Sequence, residues 1–169
     1  MRWLRRVIAV AVLSMSTALA GVGATYGQDK VVRIGFQKYG KLVMIFPGGK
    51  EPEGRMNGFQ RFCDEKGFQS EIIRNVLNKE MKRGEAYFVP SDRNLVRLVK
   101  MAAEKNLQLG KDVGIVSFND TVLKEVVAGG ITTISTDFQV MGQTLARMIQ
   151  DRSIEKIRNQ SSLIRRNSL

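Results

Sequence analysis

From Leu42 onward, short apolar runs alternate with amphipathic stretches of ten to fifteen residues. Residues 42–47 (LVMIFP) are a continuous apolar run, suited to a strand covered on both faces. Residues 55–67 predict a helix, with Met56, Phe59, Phe62 and Cys63 at three- and four-residue spacing and Gly67 as its stop. Residues 71–76 (EIIRNV) form a shorter strand candidate, and 86–91 (AYFVPS) a strand that breaks at Pro90. Asp92 is then placed to cap a helix that buries Leu95, Leu98, Val99 and Ala102. A strand at 113–118, a short helix ending in two glycines and a strand at 131–136 follow. Asp137 is placed to cap the last helix, which carries Met141, Leu145, Met148 and Ile149 on one face. Residues 161–169 read as a closing edge strand. Strands and helices in this alternation predict βαβ units with right-handed crossovers. The fold class is therefore α/β, three-layered, with a mostly parallel sheet and helices on both faces.

The first forty residues follow a different pattern. MRWLRR is a compact basic start, and VIAVAVLSMSTALAGVGA carries no charge. Ala18-Leu19-Ala20 and Val22-Gly23-Ala24 both offer small-residue cleavage sites. Residues 1–24 thus read as a secretory signal peptide, which points to the periplasm or the medium. A membrane anchor is the competing reading, but only Val7 to Leu13 is strongly apolar, so no stable anchor is expected. Residues 25–41 hold one short strand, Val31 to Phe36, and a linker.

Composition narrows the chemistry. With 169 residues and 43% apolar content, the chain fits one ordinary globular domain. The net charge of +11 divides unevenly: residues 1–41 hold seven basic residues and one acid, residues 42–169 twenty and fifteen. The basic cluster Arg147, Arg152, Lys156, Arg158, Arg165 and Arg166 has no interleaved aromatics, so it reads as a solvated face rather than a nucleic-acid surface. There is no histidine and one cysteine. These counts weigh against zinc catalysis and serine–histidine hydrolysis, and Cys63 reads as core packing. Gly48-Gly49-Lys50 follows a strand but lacks the upstream glycine and the Ser/Thr of a phosphate loop. No catalytic set, metal site or cofactor is expected, and an enzyme is not.

In a parallel sheet, ligands gather at the carboxyl ends of the strands. Those ends bring Ser91, Asp92, Asn119, Asp120, Thr136 and Phe138 to one edge, with Arg55 at the start of the first helix. An amide, hydroxyls, carboxylates, a guanidinium and an aromatic ring are groups that bind a polyol. The plainer alternative is that Asp92 and Asp137 cap helices while Asn119 and Asp120 make a turn.

Residues 86–149 resemble the C-terminal subdomain of the lactose/galactose-repressor family. The landmarks are Pro90-Ser91-Asp92, Lys111-Asp112-Val113, Phe118-Asn119-Asp120, a T-T-I strand, Asp137-Phe138 and Met141-Gly142. Upstream, Arg55-Met56-Asn57-Gly58-Phe59 matches the family's R-x-x-G-F. The ending SSLIRRNSL is similar to the last strand of regulators that join such a sensor to a winged-helix reader, so the likeness covers 42–169. The resemblance implies a small-molecule effector, a sugar by class, bound between two subdomains of a homodimer. It implies that Arg55 hydrogen-bonds the effector, and that Thr136 and Phe138 face and stack on it. Asn119 stands where the family keeps an aspartate, and Ser91 where it often has asparagine.

Two departures accompany this. No helix-turn-helix pattern fits before residue 42, and the first effector subdomain is nearly absent, so no direct DNA contact by this chain is expected. Residues 29–42 (DKVVRIGFQKYGKL) resemble instead the start of periplasmic binding proteins of sulfonate- or nitrate-type importers, which often open with a strand like VVRIGFQK. The expected organisation is therefore a join near Lys41, whether natural fusion, truncated frame or artificial chimera. The resembling regulators are cytoplasmic, whereas the leader points outward.

Overall fold

The computed structural model describes residues 38–49 and 51–169. The leader and the strand expected at Val31 to Phe36 lie outside the described residues. The elements run β1 (Lys41–Ile45), α1 (Glu53–Lys66), β2 (Gln69–Ile73), β3 (Glu85–Val89), α2 (Asp92–Glu104), β4 (Gly114–Phe118), α3 (Val122–Val126), β5 (Thr132–Thr136), α4 (Phe138–Gln150) and β6 (Ser161–Ile164). They build one sheet in the order β2-β1-β3-β4-β5-β6. The first five strands are parallel, and β6 closes the far edge antiparallel to β5. The alternation of apolar runs and amphipathic helices thus translates into a doubly covered sheet, with strand bounds within two residues of those expected except at the ends of β2 and β6, which stop three and five residues early.

Side-chain alternation along the strands divides the core into two layers. Val43, Ile45, Tyr87, Val89 and Ile115 pack on one face with Leu95, Leu98 and Ala102 of α2. Leu42, Ala86 and Val116 point the other way, onto Cys63 of α1, Tyr39 and Leu169. Phe59 and Phe62 of α1 complete that second layer. Each fully buried aliphatic or aromatic side chain contributes about 1.5–3 kcal/mol relative to exposure. Tyr39, two residues before β1, is buried, so the packed body already includes it. Burial pushes the Cys63 thiol up to about 11, which keeps it a packing residue.

Helix ends follow local chemistry in most places. Gly67 ends α1 in the left-handed conformation at φ 68°, with its N–H on the Asp64 carbonyl. Asp137 caps α4 by accepting from Val140 N at 2.9 Å. Asp92 does not cap α2: Ser91 holds that position without a side-chain cap bond, and Asp92 lies inside the first turn. The short helix α3 gives way to a 3₁₀ turn at Val127–Gly129. Helix α4 departs most from expectation. No residue on it is buried, with Leu145 57% and Ile149 70% exposed. The apolar face is present, but no described element covers it.

The amino edge of the sheet is closed by a charge network. Lys79 Nζ bridges Glu71 Oε2 at 2.8 Å and Glu85 Oε1 at 2.9 Å, Lys41 joins Glu71, and the Tyr87 hydroxyl donates to Glu85. Burial pushes the Glu85 carboxyl up, but bonds from Tyr87, Lys79 and the Lys82 amide outweigh it and hold it below the usual range.

Gly114 at the start of β4 lies against the Tyr39 ring, where a Cβ would sit 2.8 Å from Cζ. Gly114→Ala is expected to destabilise the fold by about 1–3 kcal/mol through overpacking. Tyr39→Phe is expected to cost nothing or to stabilise, since the buried Tyr39 hydroxyl has no partner among the described residues. Urea denaturation of the two variants checks both directions.

Candidate functional site at the carboxyl edge

The expected site residues all come to the carboxyl edge of the sheet, but they divide into those held by the scaffold and those left free. Arg55 stands on the first turn of α1, placed there by the loop that leaves β1. Its Nη1 meets Glu51 Oε2 at 2.5 Å, and its Cζ lies 4.3 Å from the centroid of the Phe118 ring. Phe118, the last residue of β4, packs edge-on against Phe88 of β3, with centroids 5.1 Å apart. Arg55 is thus fixed over an aromatic pair by charge and by cation–π attraction.

Asn119 follows Phe118 at φ 54°, a left-handed position that asparagine tolerates better than most residues. Its N–H donates to the Ile134 carbonyl at 2.9 Å, while its side chain is exposed at the edge. Asp120 turns back into the protein. Arg166 donates to both of its carboxylate oxygens, at 2.6 and 2.7 Å, and Thr133 Oγ1 donates at 2.9 Å. The Arg166 bonds hold the Asp120 carboxyl below its usual range, against an opposing push from burial.

Asp92 is likewise engaged. Its carboxylate meets Lys124 Nζ at 2.9 Å, although its own side chain stays 60% exposed. Lys124 is buried, and the same ammonium donates to the Phe118 and Asn119 carbonyls at 2.6 and 2.8 Å. Ser91 is partly buried at the start of α2 and accepts no cap bond. Thr136 ends β5 half-buried, and Phe138 opens α4 half-exposed. Ser91, Asn119, Thr136 and Phe138 are therefore the members of the expected set that no ion pair among the described residues engages, while Arg55 is paired with Glu51.

Three residues important here escaped the sequence reading. Phe118 serves as the platform for Arg55, and Lys124 and Arg166 neutralise the two aspartates. Arg166 corrects the assignment of the basic tail to solvent, because only 17% of its side chain is exposed. A lysine inside the apolar stretch VLKEVV was the one available signal for Lys124. Among the described residues, no group of three or more His, Cys, Asp or Glu could hold a metal ion. Nor is any described helix long and apolar enough to cross a membrane.

Comparison with known proteins adds the following. The family model described as a periplasmic binding protein-like domain matches residues 32–169, starting ten residues before the boundary expected from the sequence. The HTH-type transcriptional repressor MelR of Bacillus subtilis is 34% identical over 80 residues, 46% of this chain and 23% of that protein. The HTH-type transcriptional regulator GalR of Streptococcus thermophilus is 25% identical over 105 residues, 53% of this chain and 32% of that protein. The chain thus spans about a third or less of these curated relatives. Its fold is similar to the lac repressor dimer bound to operator and the anti-inducer ONPF, with TM-score 0.62 and 19% identity over 79% of this chain and 46% of that one. A probable maltose operon repressor from a Staphylococcus gives TM-score 0.62 and 19% identity over 78% and 54%.

The Asp120–Arg166 pair sets an acid limit. Because the folded Asp120 pKa lies below its ordinary value of 3.8, its contribution is complete above that pH and is lost as pH falls through the lower folded value. Glu71 and Glu85 titrate in the same direction. Arg166→Met is expected to cost roughly 2 kcal/mol at neutral pH and less at pH 2. Urea midpoints of the two proteins at both pH values check this; an undiminished difference at pH 2 contradicts it.

Proposed function

The chain belongs to the periplasmic binding protein-like domain family, and from that premise we propose that it is the effector-binding module of a transcription regulator. The effector is a small polar molecule, a sugar by class, taken at the carboxyl edge of the sheet. The observation that carries this reading is the grouping of Arg55, held over Phe118, with the exposed Asn119 amide at the end of the same strand. A planar donor fork and an amide beside an aromatic surface suit vicinal hydroxyls and the apolar face of a ring. Ser91, Thr136 and Phe138 extend the same edge with two hydroxyls and a second ring. Asp92 and Asp120 act in this reading as supports, through Lys124 and Arg166. The matched relatives, an HTH-type transcriptional regulator and an HTH-type transcriptional repressor, support the assignment to regulation.

Regulation by such a module is a population shift: an effector that favours one arrangement changes the affinity of an attached reader for DNA. This chain makes no DNA contact of its own in that scheme. It acts as a homodimer or paired with a longer relative, and the uncovered face of α4 is a candidate surface for that pairing. The basic and then apolar start of the sequence favours one alternative, an exported substrate-binding component of an importer. Cell fractionation separates the two, since recovery of a processed chain from the periplasm would favour the importer.

A panel of monosaccharides and disaccharides titrated calorimetrically into the full chain tests the effector reading. Binding is expected in the millimolar range, with Arg55→Ala or Asn119→Ala weakening it about tenfold. A tight one-to-one complex of the monomer, or one indifferent to both substitutions, contradicts the proposal.

A further inference from the structure

The outer part of the same sheet edge carries a cleft that the reading above does not use. It lies where β1 and β2 end, has a volume of about 400 Å³, and is lined by Phe46, Gly48, Gly49, Met56, Ile72 and Arg74 among others. Its chemistry is one-sided. Among the described lining residues, no side chain carries a carboxylate, an amide or a hydroxyl, and the one charged side chain is Arg74. Among the described residues, Arg74 makes no ion pair and no side-chain hydrogen bond, unlike Arg55, Lys124 and Arg166.

The backbone adds donors of the same sign. Gly48 and Gly49 stand at φ 79° and 71°, and neither N–H donates a hydrogen bond among the described residues. The nearby Ile73 carbonyl already accepts from Phe46 N at 2.7 Å. Glu51, the acid in the loop between β1 and α1, is engaged with Arg55. The cleft therefore presents a planar fork and two amides as unused donors against the apolar walls of Phe46, Met56 and Ile72. Such a set matches a ligand with only acceptors at one end, and a guanidinium meets a phosphate or carboxylate through two parallel bonds.

We propose that this cleft is an anion subsite, with Arg74 as the bidentate partner of the phosphate or carboxylate end of a small organic ligand. The proposal deepens the effector reading, on which it rests for the rest of the ligand: the sugar would be an acidic or phosphorylated one. The anion site itself depends only on Arg74 and the two glycine amides. Met56, which lines the cleft, follows Arg55 on the first turn of α1, so the cleft adjoins the effector residues in sequence.

The test is a set of ¹⁵N-correlation titrations of the full chain with glucose 6-phosphate, glucose, gluconate and inorganic phosphate, followed at the amides of Gly48 and Gly49. The expected result is that both glycine amides shift with glucose 6-phosphate or gluconate, at least tenfold more tightly than with glucose. Arg74→Gln is expected to weaken that binding tenfold or more, and Arg74→Lys less. Shifts with inorganic phosphate that need Arg74, without any gain from the sugar, would uphold the anion site and remove the sugar reading. Equal affinity for glucose and glucose 6-phosphate would overturn the proposal. So would glycine shifts unaffected by Arg74→Gln, or the absence of shifts with every anionic probe.

Discussion

The arrangement of the carboxyl edge depends on one buried ammonium. Lys124 sits under the turn that leaves β4, where two carbonyls and a carboxylate converge on its Nζ. A lysine taken out of water loses hydration worth several kcal/mol, and only a full set of acceptors offsets that loss. The set is complete here, and it pins the end of β4 in the conformation observed. That conformation swings Asn119 outward, turns Asp120 inward and keeps Phe118 at the height where Arg55 can lie over it. Arg166 performs the matching task from the other side by fixing Asp120. The polar groups that a ligand could meet are therefore those left over after the scaffold's own charges are matched.

This division explains the character of the edge. Two of the acids present are spent on internal pairing, so the exposed remainder is rich in donors, amides and rings rather than in negative charge. The cleft at the outer strands follows the same tendency, with a guanidinium and unpaired amides and no acid. The amino edge shows the opposite solution. There Glu71, Glu85, Lys41 and Lys79 pair with one another.

Much of the fold could be read from the chain because its signals are local. The run LVMIFP, the glycine stop at residue 67 and the Asp137 cap each act within a few residues, and each is where the pattern put it. The strand ends slipped because Phe46 and Pro47 are apolar yet belong to the loop, and apolarity alone does not mark where pairing stops. The helix α2 cap slipped for a related reason: the Asp92 carboxylate is drawn to Lys124, thirty-two residues away in sequence. The site was legible as a list of strand ends and not as an electrostatic arrangement. Asp120 and Arg166 are separated by forty-six residues, and no spacing rule links them. Nor could periodicity show that no described element would cover the apolar face of α4, since a pattern announces a face without naming what it meets.

The last residues have a consequence for how the protein is made. Ser168 bonds to strand β4 at Ile115 and to strand β5 at Thr132, through its carbonyl and hydroxyl, and Leu169 enters the second core layer. These contacts join segments thirty-six and fifty-three residues apart. During synthesis the central strands are exposed long before the segment that completes them leaves the ribosome. The growing chain therefore passes through a period with unsatisfied sheet hydrogen bonds and open apolar surface, in which a chaperone has something to hold.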